Sequence, residues 1–285
     1  MAVYTTELIE KIQEDRLKGL LHDKRIFYRN QDGLRNSNIF FNVTQEERIE
    51  FARCYADPIY FIETYCYIKT PDGYKHVNLY DYQKDIIEKY QNNRFNIIKN
   101  SRQTGLTTII SLLSLWVAMF RYKRNILIMC NKMMEGVSII NRIKEMYIQM
   151  PFFLKQGIVS YNQKSLHFEN NCRIMATVSN KEYASSMSIH DFFINDYAYI
   201  NPYTLTGIFP TVASNKSNVF IHSTPNGYNQ FYDLYTGAVK GENAFVATNV
   251  YWWQVPGRGE EWKDEQIKIL GKKLFSQEYD LQFVV

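Results

Sequence analysis

Residues 95–116 have the sequence FNIIKNSRQTGLTTIISLLSLW, and this stretch decides the fold class of the chain. Its first five residues are mostly apolar and predict a short buried strand. A polar, glycine-containing turn follows at 100–105, and the apolar residues 107–120 predict a buried helix. A strand, a tight turn and a helix in this order are typical of one βα unit of an α/β protein.

The same alternation of apolar strands and helices continues along the chain. The segments 125–130, 192–194 and 218–222 are short, apolar and bounded by polar turns, and they predict three further buried strands. We expect these three and the strand at 95–99 to lie side by side in the centre of a mostly parallel sheet with helices on both faces. Shorter strands are predicted at 158–161, 165–168 and 172–178, and helices at 132–150, 203–213, 228–239 and 261–275.

The region that precedes the sheet is predicted to be helical. Residues 1–40 are expected to form an accessory segment that contains an amphipathic helix at 7–21. Thr44 and Glu47 have the spacing of a capping box at the start of another helix. Residues 41–285 are expected to form the main domain.

The composition is that of an ordinary globular protein. Of the 285 residues, 46% are hydrophobic and 22% are charged, which excludes a disordered or fibrous chain. The formal net charge of +4 permits a nucleic-acid partner without requiring one. The N-terminal residues contain no apolar signal core, and the longest apolar run is too short to span a bilayer, so no membrane partner is expected. The four cysteines lie far apart in sequence, which excludes a C-x-x-C motif and predicts free thiols in a reducing compartment.

The turn after the first strand has features of a phosphate-binding loop. In such loops the backbone N–H groups wrap phosphate oxygens, and the following helix directs its N-terminus at the same group. Gly105 would allow a close approach of the backbone, and Thr107 or Thr108 could offer a hydroxyl to Mg²⁺. The P-loop pattern also requires a lysine directly after the glycine, where this chain has Leu106. On spacing alone, an ordinary βα turn therefore remains an alternative.

Two other strands end in polar groups. In NTPases of this kind the tip of one strand carries an aspartate that orders Mg²⁺ and a glutamate that activates water, and here the pair is Asn195 and Asp196. Residues 218–227, NVFIHSTPNG, place Ser223 and Thr224 where a γ-phosphate sensor could lie. An ordinary strand end is the alternative at both places.

Taken together, these segments resemble a known family. In chain order they are LYDYQ at 79–83, SRQTGLTT at 101–108, FFINDYAYI at 192–200, STPNG at 223–227 and YNQFYD at 228–233. They resemble the ATPase domain of the large terminase subunit of tailed bacteriophages, T4-like branch, which packages DNA into procapsids. The resemblance extends from about residue 41 to residue 283 and implies a P-loop NTPase fold.

The resemblance implies a role for individual residues. Tyr82 and Gln83 match the adenine-recognition motif, and Arg102 matches an arginine that acts on the phosphates. Asp196 stands in the place of the catalytic glutamate. The loop residues implied in nucleotide binding are Ser101, Gln103, Thr104, Gly105, Leu106, Thr107 and Thr108; the magnesium ligands are Thr107 and Asn195; and the coupling residues are Ser223, Thr224 and Asn226.

The resemblance also implies ligands and partners. The nucleotide is ATP and the metal is Mg²⁺. The partners are double-stranded DNA, the portal of the procapsid and the small terminase subunit, with the motor working as a ring of identical chains. The location is the cytoplasm of the infected host cell. Because the nuclease domain of the family normally follows this region and no cluster of its metal-binding carboxylates is found, the chain is expected to be a motor domain alone.

Four positions at which the family carries charged residues are changed in this sequence. Leu106 replaces the Walker A lysine, Asn195 replaces the Walker B aspartate, Asp196 is shorter than the catalytic glutamate, and an Arg-Gly pair appears as Ser185-Ser186. Because charge stabilisation dominates phosphoryl transfer, we expect weak or absent ATP hydrolysis.

A displaced lysine would compensate for part of this loss. Some terminases carry the functional lysine at the start of the loop, and Lys99 lies one residue before that position. The alternative for Lys99 is an ordinary lysine at the end of a strand. Asp196 could likewise bind the metal in place of Asn195, which would leave the base unassigned.

Three functions follow from these observations. The first is an ATP-driven DNA-packaging motor domain. The second is a degenerate terminase-like module that acts in assembly with weak or no hydrolysis. The third is a fragment of a helicase-like ATPase, which is disfavoured because the sequence lacks a DEAD/DEAH-type box.

Overall fold

A computed structural model of the chain describes residues 24–178, 188–205, 212 and 214–284. They form two compact units. The described residues of the first lie within Met1–Leu79, Ser111–Arg124 and Ser138–Met175, and those of the second within Tyr80–Ile110, Asn125–Val137 and Ala176–Val285. The predicted helix at 7–21 lies outside the described residues, and the division at residue 40 stays a prediction.

The elements are named here in chain order. The helices are α1 (Gln45–Ala56), α2 (Pro58–Tyr65), α3 (Asp81–Asn92), α4 (Leu106–Phe120), α5 (Met133–Gln149), α6 (Pro202–Leu205), α7 (Gln230–Lys240), α8 (Glu260–Leu270) and α9 (Lys272–Glu278). The strands are β1 (Tyr67–Thr70), β2 (Gly73–His76), β3 (Phe95–Asn100), β4 (Asn125–Cys130), β5 (Ile158–Tyr161), β6 (Ser165–Phe168), β7 (Arg173–Val178), β8 (Asp191–Ile194), β9 (Asn218–Ser223) and β10 (Val246–Val250).

The main sheet has eight strands in the order β10-β3-β9-β8-β4-β7-β6-β5. The pairs from β10 to β4 are all parallel, whereas β5, β6 and β7 pair antiparallel. The prediction of a mostly parallel α/β sheet is therefore confirmed, and so are the four predicted strands side by side at its centre. Among the described residues, no helix is both long and apolar enough to cross a membrane.

Burial explains why these central strands have the sequences they have. All four residues of β8 are buried, and so are five of the six residues in β4 and in β9. Parallel strands covered on both faces need continuous apolar runs, not alternating ones. The polar groups are thereby confined to the strand ends, where the candidate site lies.

The first unit confirms a predicted helix start. The Thr44 hydroxyl accepts from the Glu47 N–H at 3.1 Å, and the Glu47 carboxylate accepts from the Thr44 N–H at 2.7 Å. This reciprocal pair satisfies two of the amide groups that a helix leaves without partners at its N-terminus. The capping box therefore fixes the start of α1.

The sequence-based prediction was wrong for the last helix. Residues 261–275 form two helices, α8 and α9, because Gly271 adopts a φ of +80° that ends the first. The predicted helix at 203–213 is described only over α6, and the rest of it lies outside the described residues. The hairpin of β1 and β2, helix α3 and the short, partly exposed strand β10 were not predicted.

Candidate functional site

The turn between β3 and α4 forms a concave row of amide groups. Gln103 and Gly105 have positive φ angles of 56° and 78°. Within the described part of the chain, no acceptor takes the backbone N–H of Gln103, Thr104, Gly105 or Leu106. Successive free N–H groups in a backbone that alternates in handedness attract an anion, and the start of the 15-residue helix α4 adds its dipole. This loop therefore suits a phosphate group.

Two predicted adenine-binding residues hold this loop from the side of α3. The Tyr82 hydroxyl donates to the Thr104 carbonyl at 2.8 Å, and the Gln83 amide nitrogen donates to the same oxygen at 3.1 Å. The Gln83 side-chain oxygen accepts from the Tyr80 N–H at 3.1 Å. A Cβ atom on Gly105 would lie 2.7 Å from the Gln83 amide nitrogen, so this position requires glycine for space as well as for φ.

The C-terminal segment holds the first half of the loop. The Arg258 guanidinium donates to the carbonyls of Arg102 and Gln103, each at 3.1 Å. The Arg102 side chain pairs with Glu278 at 2.5 Å, and its backbone N–H donates to the Glu278 carbonyl at 3.0 Å. The Ser101 hydroxyl donates to the Tyr279 carbonyl. Sequence reasoning missed Arg258 and Glu278, since both lie more than 150 residues from the loop.

The tip of β8 faces the start of α4. The Thr107 hydroxyl donates to Asn195 Oδ1 at 3.0 Å, and the Asn195 amide nitrogen donates to Asp196 Oδ2 at 3.2 Å. Asn195 is buried, and Asp196 adopts a left-handed backbone with a φ of 56°. A hydroxyl, an amide and a carboxylate oxygen are donors that Mg²⁺ accepts, so the residues present fit this metal with a single negative charge.

A buried histidine, His222, contacts Asn195 at this tip, and its sequence position did not predict a role for it. His222 Nε2 lies 3.0 Å from Asn195 Oδ1, and its Nδ1 lies 3.1 Å from Asn100 Oδ1. The Asn100 amide nitrogen donates to the Ser101 carbonyl at 2.9 Å. Burial lowers the pKa of His222, while the charge of Asp196 acts in the opposite direction. One imidazole thus connects the strand before the loop to the tip of β8.

The segment after β9 contacts a tyrosine that Arg102 also contacts. The Thr224 hydroxyl lies 3.3 Å from the Tyr199 hydroxyl, to which Arg102 donates at 3.4 Å. The Ser223 hydroxyl accepts from the Ala198 N–H at 3.1 Å. The predicted coupling residues and the predicted phosphate-contacting arginine are therefore joined through Tyr199. Asn226 lies nearby, with its amide nitrogen 3.5 Å from the Ala198 carbonyl.

Lys99 is not brought to this cluster. Its ammonium group lies 4.7 Å from the centre of the Tyr235 ring and 5.1 Å from that of Phe283. Successive side chains of a strand point to opposite faces, so Asn100 faces His222 and Lys99 faces away from it. Burial lowers the pKa of Lys99. Its role as a displaced Walker A lysine stays a prediction.

The other predicted site residues are placed as follows. The Leu106 side chain, at the position of the missing lysine, is buried and not available to a ligand. The Thr108 N–H donates to the Gly105 carbonyl at 2.9 Å, as part of the first turn of α4. Ser185 and Ser186 lie outside the described residues.

A family model described as terminase large subunit, T4likevirus-type, N-terminal, matches residues 97–285. The chain belongs to this terminase family. The match covers most of β3, the turn between β3 and α4, the β8 tip and the segment after β9, and it begins after LYDYQ at 79–83. The resemblance to the large terminase subunit is confirmed.

Solved terminase structures have the same fold. The ATPase domain of the Thermus phage P74-26 large terminase matches with a TM-score of 0.62 and 17% identity, over 76% of this chain and 99% of that one. The HK97 bacteriophage large terminase matches with a TM-score of 0.66 and 16% identity, over 80% of this chain and 54% of that one. The large terminase of a thermophilic bacteriophage, solved in complex with ADP, matches with a TM-score of 0.58 and 10% identity, over 73% and 54%. The terminase chain described here therefore spans about half the length of these two whole large terminases.

Proposed function

We propose that this terminase chain is an ATP-dependent motor domain that couples nucleotide binding and slow hydrolysis to the movement of double-stranded DNA into a procapsid. The observation that carries the proposal is the row of N–H groups from Gln103 to Leu106, at the start of α4, for which the described residues provide no acceptor. A γ- or β-phosphate is the anion that such a loop accepts in NTPases. The related terminase that was solved with ADP supports a nucleotide as the ligand.

The side chains around the loop have distinct roles in this proposal. Arg102 acts on the phosphates once it leaves Glu278, and Tyr82 and Gln83 lie beside the base while they hold the loop. Asp196 accepts a proton from the water whose oxygen bonds to the γ-phosphorus, while the bond from that phosphorus to the bridging oxygen breaks and ADP leaves. Thr107 and Asn195 would hold Mg²⁺, which supplies charge neutralisation at the phosphates when it is bound.

Coupling to DNA is assigned to the segment after β9. Ser223, Thr224 and Asn226 all contact residues 198–199, which directly follow the β8 tip. A change at Arg102 or Asp196 would therefore reach this segment through one or two contacts. The portal, the small terminase subunit and a ring of identical chains are the partners that complete the proposal. The host cytoplasm is the location at which such a motor works.

A second candidate function is an assembly module that binds nucleotide without hydrolysing it. Two observations favour it: Leu106 and Asn195 supply no charge, and both are buried where the phosphates and the metal would lie. The family match favours a terminase over the helicase-like alternative.

Single-turnover kinetics separate the motor from the assembly module. The purified chain is held in excess over labelled ATP with Mg²⁺, and release of phosphate is followed over hours. The proposal predicts slow release that stops when Asp196 is changed to Asn. Binding of ATP with no release by the unmodified chain would instead favour the assembly module, and failure to bind ATP would overturn both.

A further inference from the structure

We propose that His222 is a positioning residue for the hydrolysis reaction, because it fixes the amide of Asn195 and thereby the carboxylate of Asp196. The proposal rests on the proposed function, since it requires that Asp196 act on the attacking water. It concerns a residue that does not itself touch the nucleotide.

The environment of His222 is buried and mostly apolar. His222 is 2% exposed and lies on β9, between β3 and β8 in the sheet. A buried imidazole in the middle of an apolar sheet is costly unless its nitrogens have partners. Each ring nitrogen of His222 lies beside the side-chain oxygen of an asparagine at the end of a neighbouring strand, and the neutral ring has one N–H to donate.

The ring of His222 places a constraint on Asn195. An amide can rotate by half a turn and exchange its oxygen and nitrogen at little steric cost. Here the oxygen faces the Thr107 hydroxyl and the imidazole, at 3.0 Å from each. The Thr107 hydroxyl donates to this oxygen, and so does the imidazole in the tautomer that carries its hydrogen on Nε2. The amide nitrogen must therefore face Asp196.

This constraint acts in turn on Asp196. Its Oδ2 atom accepts from the Asn195 amide nitrogen at 3.2 Å, and its backbone is held in the left-handed region. If residue 195 were an aspartate, its carboxylate and that of Asp196 would repel each other. The asparagine converts that repulsion into a hydrogen bond, whose direction depends on His222. The same ring contacts Asn100, so the β8 tip is also held in register with the loop that follows β3.

A second buried polar pair, between Tyr90 and Asp191, lies at the other end of β8 and serves for comparison. The Tyr90 hydroxyl donates to Asp191 Oδ1 at 2.8 Å, at the opposite end of β8. Both pairs contribute to stability, but only the one at Asn195 is next to the predicted reaction site. Tyr90→Phe is therefore the matched control.

The experiment measures three quantities on each folded variant: the single-turnover rate with Mg²⁺ and ATP, the affinity for ADP, and the unfolding temperature. His222→Phe keeps an aromatic ring but removes the ring N–H that donates to Asn195. We expect its rate to fall by about tenfold or more, with its ADP affinity within about twofold. His222→Gln, whose amide can again donate to Asn195, should restore most of the rate. Tyr90→Phe should lower the unfolding temperature and leave the rate unchanged.

A double-mutant cycle tests whether His222 acts through Asn195. Once Asn195 is changed to Ala, adding His222→Phe should lower the rate no further. If His222→Phe does not fold, His222→Leu takes its place, since it is smaller and equally without a donor. An unchanged rate in the folded variant, or a loss that His222→Gln does not restore, would overturn the inference while the proposed function stands. No turnover by the unmodified chain would overturn the proposed motor function as well.

Discussion

The loop between β3 and α4 and the tip of β8 face each other and offer a ligand different groups. The loop has Leu106 where a Walker A lysine was predicted, but its backbone is open to an anion: Gly105 has a positive φ, and the N–H groups of four residues have no protein acceptors among the described residues. The β8 tip offers side-chain oxygens with little charge, because Asn195 is neutral and only Asp196 carries a carboxylate.

We expect the loop to determine nucleotide binding and the β8 tip to determine the rate of hydrolysis. A backbone loop binds phosphate through geometry that side-chain replacement does not remove. Hydrolysis depends on charges placed where the transition state develops them, and these reside in side chains. We therefore expect nucleotide affinity to survive in this chain better than turnover does.

The largest effect is expected for Gly105→Ala, which tests the loop side of the comparison. The new methyl group would lie 2.7 Å from Gln83 Nε2, at a φ of +78° that disfavours any side chain. Displacing the loop would misalign at least two hydrogen bonds to phosphate, so ATP affinity should fall by about a hundredfold in fluorescence anisotropy. Gly257→Ala is the control, since Gly257 has a φ of +83° and open space around it. Equal losses of affinity in both variants would show that the loop geometry is not the cause.

The next largest effect is expected at the β8 tip, for Asn195→Asp. A second carboxylate beside Asp196, in a buried position, should lower the unfolding temperature in the absence of metal because like charges repel. Mg²⁺ should reverse this loss, since a cation offsets the repulsion between two carboxylates. The single-turnover rate should not rise, because an aspartate lacks the amide N–H that Asn195 donates to Asp196. Calorimetry with Mg²⁺ and with EDTA checks the first part, and phosphate release checks the second. An unfolding temperature that is insensitive to Mg²⁺ would argue against a metal at this tip.

A smaller effect is expected for Arg258→Lys, which loosens the loop from outside. The guanidinium donates to two loop carbonyls at once, and a lysine ammonium cannot reproduce this fork. ATP affinity should fall by about three- to tenfold. Arg94→Lys is the matched control, because Arg94 likewise donates to two carbonyls, those of Ser217 and Val212, at the opposite end of β3. If Arg94→Lys weakens ATP binding as much, the effect is one of general stability.

The smallest effect is expected for Lys99→Ala. Its ammonium rests over the rings of Tyr235 and Phe283, so its loss should lower the free energy of unfolding by about 0.5–1 kcal/mol. Turnover should stay within about twofold of the unmodified chain. Complete loss of turnover with normal folding would instead identify Lys99 as the displaced Walker A lysine.

The sequence predicted those strands and turns whose structure depends on residues close together in the chain. The strands β3, β4, β8 and β9 are apolar and bounded by turns, and Gly105 marks the loop whichever residues surround it. The break between α8 and α9 at Gly271 was overlooked because the helical pattern continues across it. His222, Arg258 and Glu278 could not be assigned a role in this way, since each contacts residues that are distant in sequence. The one available signal for His222 was a polar residue inside an otherwise apolar strand.

The central claim is that the loop backbone holds the phosphates while the β8 tip contributes little. It is tested most directly by titrating labelled ATP into the unmodified chain with Mg²⁺ and again with EDTA. We predict saturable binding in both conditions, with affinities that differ by no more than about tenfold. Binding that disappears in EDTA would contradict this account, because the metal and the β8 tip would then provide most of the affinity for the nucleotide.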